Sequence, residues 1–332
     1  MFAMLGGAAW ADADPADALA AQVAAGIDVV TDGRETLPLD GDAATRVVDD
    51  LLAGRGIGGA ERWAASAALA PEPVVAIAAA LPGPCSLARL AHPDPRGAGA
   101  TDAALAAALA PAIAREAADL RAAGCPLARI DEPGALPEAS DPAEIATFSA
   151  AHRALVAGAA AGAGAGARPD AGPGAGTIHL MLALTGGDHE GIVAATLAGL
   201  GYASYLFDLI AGPGDWRLIA RLPPERGVVC GVVDPAVPLG DAPEVLVWAA
   251  HYAASTRGRG LVRVGLATTG SLAALDRDGA VAKMRVLAEG ARIAALPAEE
   301  IRATLDPRAI DMRSAALGAW TGAPGLPRRP RV

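Results

Sequence analysis

Cysteine, aromatic rings and clustered positive charge are all scarce in this 332-residue chain, and each shortage removes a class of protein. The three cysteines, Cys85, Cys125 and Cys230, are odd in number and far apart. That spacing excludes a disulfide framework and a CxxC metal clip. Aromatics make up only 3% of residues, so any core must be built from small and branched aliphatic side chains. Net charge is −10, and no basic cluster precedes the Arg328–Arg331 tail. Nucleic acid and acidic membrane surfaces are therefore not expected as partners. No uninterrupted apolar run reaches the roughly 20 residues needed to span a bilayer, and the opening MFAMLGGAAW lacks the basic segment of a signal peptide. A cytoplasmic protein acting on a small molecule is expected.

What is present is a repeated apolar run closed by a polar residue. Gly124–Leu136, GCPLARIDEPGAL, shows it best: Leu127–Ile130 reads as a buried strand, Asp131 and Glu132 follow, and Pro133 stops it. The other runs are Phe2–Leu5, Gly26–Thr31, Pro73–Ala79, Ile178–Leu184, Tyr202–Phe207, Gly227–Val233 and Gly260–Leu266. Helical spacing separates them at Pro15–Ala25, Ala43–Ala53, from Thr101 (as cap) to Ala123, Asp141–Val156, Glu190–Leu200, Asp215–Arg221, Ala242–Ser255 and Ala280–Leu296. Eight strands alternating with helices predict an α/β fold of the (β/α)8 TIM-barrel class, residues 1–296. Ala157–Thr177, rich in Ala and Gly, reads as a flexible insertion, and 297–332 as a tail or an arm that could join two copies in a homodimer.

In such a barrel, ligands sit beyond the carboxyl ends of the strands. Those ends carry Arg34 and Glu35, Cys85 and Ser86, Asp131 and Glu132, Asp208, Asp234, and Thr268 and Thr269, with His179 on the fifth strand. Alternation along a strand puts Arg129 on the face of Asp131, and a buried Arg requires an anion; Asp28 or Asp32 is its expected partner. Cys230 lies about 13 Å below Asp234 and reads as a core thiol. Cys125 is at the wrong end of its strand, and Cys85 occupies a turn.

In this order the strand ends resemble the catalytic barrel of cobalamin-independent methionine synthase, within the methionine synthase/uroporphyrinogen decarboxylase superfamily. The matching pieces are Leu5-Gly6-Gly7, GIDVVTDGRE (Gly26–Glu35), LPGPCSLARL (Leu81–Leu90), ARIDEPGAL (Ala128–Leu136), the residues around His179, GVVCGVVD (Gly227–Asp234), VGLATTG (Val264–Gly270) and AVAKMRVLAEGAR (Ala280–Arg292). The resemblance implies a zinc ion held by His, Cys, Glu and Cys, which binds a homocysteine thiol for methylation by a methyltetrahydrofolate-type donor. Here His179 and Asp208 match two of those ligands, while Met181 and Thr268 or Thr269 replace the two cysteines; a metal would rest on His179 and Asp208. Asp131 matches a carboxylate that holds the substrate's ammonium group. Gly6 and Gly7 would offer N–H groups to its carboxylate, and Arg34 replaces an acid, which favours an anionic substrate group.

The leading expectation is a methyl- or alkyl-transferase with a changed acceptor of amino-acid or thiol type. Its catalytic residues would be His179, Asp208 and Asp131, and its substrate contacts Gly6, Gly7, Arg34, Glu35, Asp131, Glu132, Asp234 and Thr269. A non-catalytic small-molecule-binding homologue that has lost the metal centre is the alternative. A uroporphyrinogen-decarboxylase-like site ranks last, because that chemistry needs several arginines near the first strands.

Overall fold

The computed structural model describes residues 1–36, 40–70, 76–92, 101–134, 141–161, 177–189, 191–236 and 242–305. Eight strands, β1 (Phe2–Met4), β2 (Val29–Val30), β3 (Ala76–Pro82), β4 (Leu127–Pro133), β5 (His179–Thr185), β6 (Ser204–Asp208), β7 (Gly227–Val233) and β8 (Val264–Thr268), form a closed parallel barrel in chain order. β1 pairs with both β2 and β8, which completes the ring. This is the (β/α)8 TIM barrel that the alternation predicted.

The helices are α1 (Pro15–Ala25), α2 (Gly41–Leu52), α3 (Gly59–Leu69), α4 (Pro84–Ala91), α5 (Ala103–Ala123), α6 (Pro142–Ala161), α7 (Ala194–Ala198), α8 (Asp215–Arg221), α9 (Pro243–Ser255), α10 (Arg277–Ala294) and α11 (Ala298–Thr304). Their ends follow local chemistry. Asp102 caps α5 by accepting from Leu105 N, and Gly124 closes it at φ +95°, a conformation that a side chain would disfavour. Thr101, expected as that cap, instead bonds Glu144 through both its N–H and its hydroxyl. No helix among the described residues is long and apolar enough to cross a membrane.

Several expected bounds shift. β2 is shorter than Gly26–Thr31, and β3 lies three residues later than Pro73–Ala79, with 71–75 outside the described residues. The Pro84–Ala91 stretch forms a helix rather than a turn, because Pro84 fits its first position. Finally, α6 runs to Ala161, into the Ala157–Thr177 stretch expected to be flexible. Gly158 permits this: a Cβ there would meet the Ala114 Cβ at 2.8 Å, so its absence allows α5 and α6 to pack closely. The remainder of that stretch, 162–176, and the tail from 306 lie outside the described residues.

Two layers of core result. Large aliphatic and aromatic side chains fill the shell between sheet and helices. The barrel interior is lined by Met4, Val29, Ala78, Met181, Ala183, Leu206, Val229 and Ala267, mostly small groups. That thin lining leaves room for a guanidinium.

Candidate functional site

Arg129 occupies this interior at 1% exposure, and its pairing differs from the one expected. Its Nε and Nη2 donate to the two carboxylate oxygens of Asp131 at 2.5 and 2.9 Å, and its Nη1 donates to the Leu5 carbonyl at 2.5 Å. Asp28, an expected partner, accepts instead from Ala3 N. The reason is alternation: residues two apart on one strand point the same way, so the nearest inward carboxylate above Arg129 is its own neighbour. Burial pulls the Arg129 pKa down, but Asp131, with Glu35 and Asp32 further off, more than reverses this and holds it raised. Asp131 closes the top of the pair at 9% exposure, at the carboxyl end of β4.

Glu132 points the other way and does not join the mouth. Fully buried outside the barrel, it accepts from Cys85 N at 3.0 Å and Ser86 N at 2.7 Å, the first amides of α4. His152 Nε2 lies 3.0 Å from its Oε1, and His152 Nδ1 lies 2.7 Å from the Tyr202 hydroxyl. A carboxylate there satisfies amides that a helix start leaves unpaired. Gly83 is glycine because a Cβ would collide with that carboxyl group. Burial pushes Glu132 up, yet its bond and charge contact with His152 and the α4 amides outweigh this and leave its pKa low.

Cys85 Sγ, a Glu132 oxygen and a His152 nitrogen lie within 4.8 Å of one another, the one such grouping of three ligating residues among the described residues. It is walled off, its carboxylate already accepts three bonds, and burial foremost drives the Cys85 thiol well above its ordinary pKa. The geometry describes a structural network. Sequence reasoning passed over His152 because it lies mid-helix, with no local motif to mark it.

Asp208, at the carboxyl end of β6, accepts from Ile210 N at 3.0 Å, Ala211 N at 2.9 Å and Gly186 N at 3.3 Å. Burial raises its pKa; those amides oppose the rise and Asp234 adds to it. Asp234 in turn accepts from the Thr269 hydroxyl at 3.0 Å and from Ala236 N at 2.8 Å. Asp131, Asp208, Asp234 and Thr269 therefore belong to strand ends on one face. Gly6 donates its N–H to the Thr268 hydroxyl at 2.8 Å, so that amide is engaged rather than open to a substrate. Side chains at Gly6 or Gly7 would strike the β8 loop backbone, which explains both glycines.

His179 does not join this face. It opens β5 level with Leu127, whereas the β5 residue level with Asp131 is Ala183. Four residues at about 3.3 Å each put His179 about 13 Å away, at the opposite end of the barrel. There, at the exposed start of the strand, its Nε2 lies 2.7 Å from the Ser204 hydroxyl, and partial desolvation lowers its pKa. A residue's parity alone cannot tell top from bottom of a strand. At mouth level, β5 and β8 therefore offer Ala183 and Thr269 where thiolates or an imidazole would be needed. The residues present do not fit a zinc ion held by His179 and Asp208.

A different imidazole does lie after β5. His189 Nδ1 is 2.9 Å from Asp215 Oδ2, and its N–H donates to Asp215 Oδ1 at 2.8 Å. Both are buried, and the pair ties the β5 loop to the start of α8. The Gly-Gly-Asp-His sequence beyond the strand end was the available signal.

Arg34 and Glu35 follow β2 and line a pocket of about 170 Å³, with Asp32 and Thr36 beside them. Arg34 Nε is 3.5 Å from Asp32 Oδ2.

No family model and no curated protein matches the chain. Solved structures do. A B12-independent methionine synthase from Shewanella sp. W3-18-1, in complex with selenomethionine, superposes with TM-score 0.62 at 14% identity, covering 91% of this chain and 98% of that one. A methyltransferase from Methanosarcina mazei gives 0.54 at 18%, covering 84% of each chain. A D-psicose 3-epimerase from Clostridium cellulolyticum H10, with D-tagatose, gives 0.53 at 10%, covering 89% of this chain and 99% of that one. At these identities, and across transferase and epimerase alike, the likeness is one of fold.

Proposed function

We propose that the chain is a methionine-synthase-like methyl- or alkyl-transferase acting on a small acceptor at the carboxyl face of the barrel. The observation that carries this is the Arg129–Asp131 pair. A buried ion pair can be exchanged for apolar residues with little loss of stability, so stability alone does not call for this pair, and its carboxylate at the mouth suits a ligand contact. Two of the three neighbours above, by their printed names, fall in this reaction class.

Asp131, fixed by two guanidinium bonds, orients the acceptor through a hydrogen-bond donor on it. Asp208, whose burial favours the protonated form, serves as the acid. The acceptor's X–H proton passes to Asp234, a methyl group moves from donor nitrogen to X, and the released nitrogen takes a proton from Asp208. One X–C bond forms as one N–C bond breaks, and the proton count closes. No step is routed through a metal.

A second reading, a binding protein without catalysis, draws on one feature: the Asp208 and Asp234 oxygens accept bonds from their own loops. The test is incubation of purified protein with a methyl-labelled methyltetrahydrofolate and a panel of small thiols, amines and amino acids. Label transfer that is abolished in Asp131→Asn while the variant's far-ultraviolet circular dichroism stays native supports the transferase. Binding of panel members without transfer supports the second reading, and neither binding nor transfer refutes both.

A further inference from the structure

The barrel ring is closed, but its wall is short between β2 and β3. β2 pairs with β3 only at Val29–Ala76 and Val30–Ile77, while β3 continues to Pro82 paired with β4 on its other side. The pocket of about 170 Å³ occupies this place. It takes residues from both faces of β3: Ala78 belongs to the barrel lining, whereas Ala79 packs on the outer shell. Three consecutive alanines, Ala78 to Ala80, line the opening and are too small to plug it.

The opening is not simply greasy. Ser66 of α3 is 2% exposed and lines the pocket, yet its Oγ has no hydrogen-bond partner; the Thr36 Oγ1, across the pocket from the β2 loop, has none either. Buried hydroxyls almost always find partners, and two orphans lining one cavity mark a place where a polar partner belongs. Arg34 and Arg62 also line it. Arg34 is only loosely held, at 3.5 Å from Asp32, and Arg62 spends Nη1 on the Ile57 carbonyl at 2.6 Å. Asp32 and Glu35 line the pocket beside the two guanidiniums, and their carboxylates repel a dianion more than a singly charged acid held on the guanidinium side.

We infer that this gap in the wall is a binding site for a small monocarboxylate, whose carboxylate meets Arg34 and Arg62 and whose oxygens pair with the Ser66 and Thr36 hydroxyls. The inference does not depend on which reaction the mouth performs. Its place beside Pro82, level with Asp131, would let such an acid act as a second substrate or as an effector of the mouth.

The test uses the full-length protein, titrated calorimetrically with acetate, lactate, glycine and inorganic phosphate, alongside thermal melts. The variants are Arg62→Gln, Ser66→Ala and Arg292→Gln. At least one of the three monocarboxylates should bind more tightly than phosphate, and Arg62→Gln should weaken it about tenfold. Ser66→Ala separates ligand duty from structure. It should raise the melting temperature of the free protein, by deleting an orphaned hydroxyl, and at the same time weaken the acid several-fold. Arg292→Gln, which removes an exposed guanidinium on α10 that pairs with Glu289, should leave acid binding unchanged. Binding of phosphate alone, loss of binding in Arg292→Gln but not Arg62→Gln, unchanged affinity in both Arg62→Gln and Ser66→Ala, or no binding by any probe would overturn the assignment.

Discussion

Replacing Asp131 by Asn leaves a fully buried cation, Arg129, without its anion. Two of the three hydrogen bonds that Arg129 makes go to the Asp131 carboxylate, at 2.5 and 2.9 Å, and the third goes to a neutral carbonyl. An Asn keeps one acceptor, but its amide turns a donor toward the guanidinium. Breaking a buried pair from one side costs about 3–5 kcal/mol, a large share of the roughly 5–15 kcal/mol that holds a domain together. The reverse change, Arg129→Met, should cost less, about 1–3 kcal/mol, because Asp131 at 9% exposure lies nearer water than Arg129 at 1%. The double variant Arg129→Met with Asp131→Leu should recover most of the loss. Urea unfolding followed by far-ultraviolet circular dichroism measures all three, and the single variant Asp131→Leu beside Arg129→Met and the double closes the cycle, with a coupling of about 2 kcal/mol or more. A loss of under about 1 kcal/mol in Asp131→Asn, or equal losses in the two single variants, would refute the argument.

Other expectations follow from the same physics. Glu132 is held below the ordinary glutamate range, so its contribution is complete above that range and is lost as pH falls through its depressed folded value. Glu132→Gln should flatten that acid-side loss in pH-dependent melts while lowering stability at neutral pH by about 3–5 kcal/mol. Asp208 is raised, so the proposed acid becomes inactive as pH rises through its folded value. Asp208→Asn should cut transfer about 100-fold or more and remove that limb from the pH–rate profile; an unchanged limb would assign it elsewhere. Gly158→Ala gains about 1 kcal/mol of helix propensity but overpacks against Ala114 at 2.8 Å, costing about 1–3 kcal/mol. Its melting temperature should fall.

The barrel was legible because each strand is an apolar run closed by a polar residue, and eight of them alternate with helices. The level of a residue within its strand was less so. His179 and Asp208 have the same inward parity, yet His179 starts its strand and Asp208 ends one. The placement of Glu132 could have been read correctly: Asp131 facing inward requires its neighbour to face outward. Long-range partners left no trace in sequence. Nothing local joins Glu132 to His152 in α6 or to the α4 amides, since those contacts exist only after the helices pack. The gap beside β3 was hidden for the same reason, because it arises from where β2 stops pairing, not from any motif.

The most direct measurement is a crystal structure of the protein soaked with the acceptor and donor panel of the transfer assay. The account predicts a ligand at the carboxyl face of the barrel with a polar atom about 2.7–3.2 Å from an Asp131 oxygen, the Arg129 bonds intact beneath it. A bound panel member whose contacts bypass Asp131, or a mouth holding only water at saturating concentrations, would contradict it.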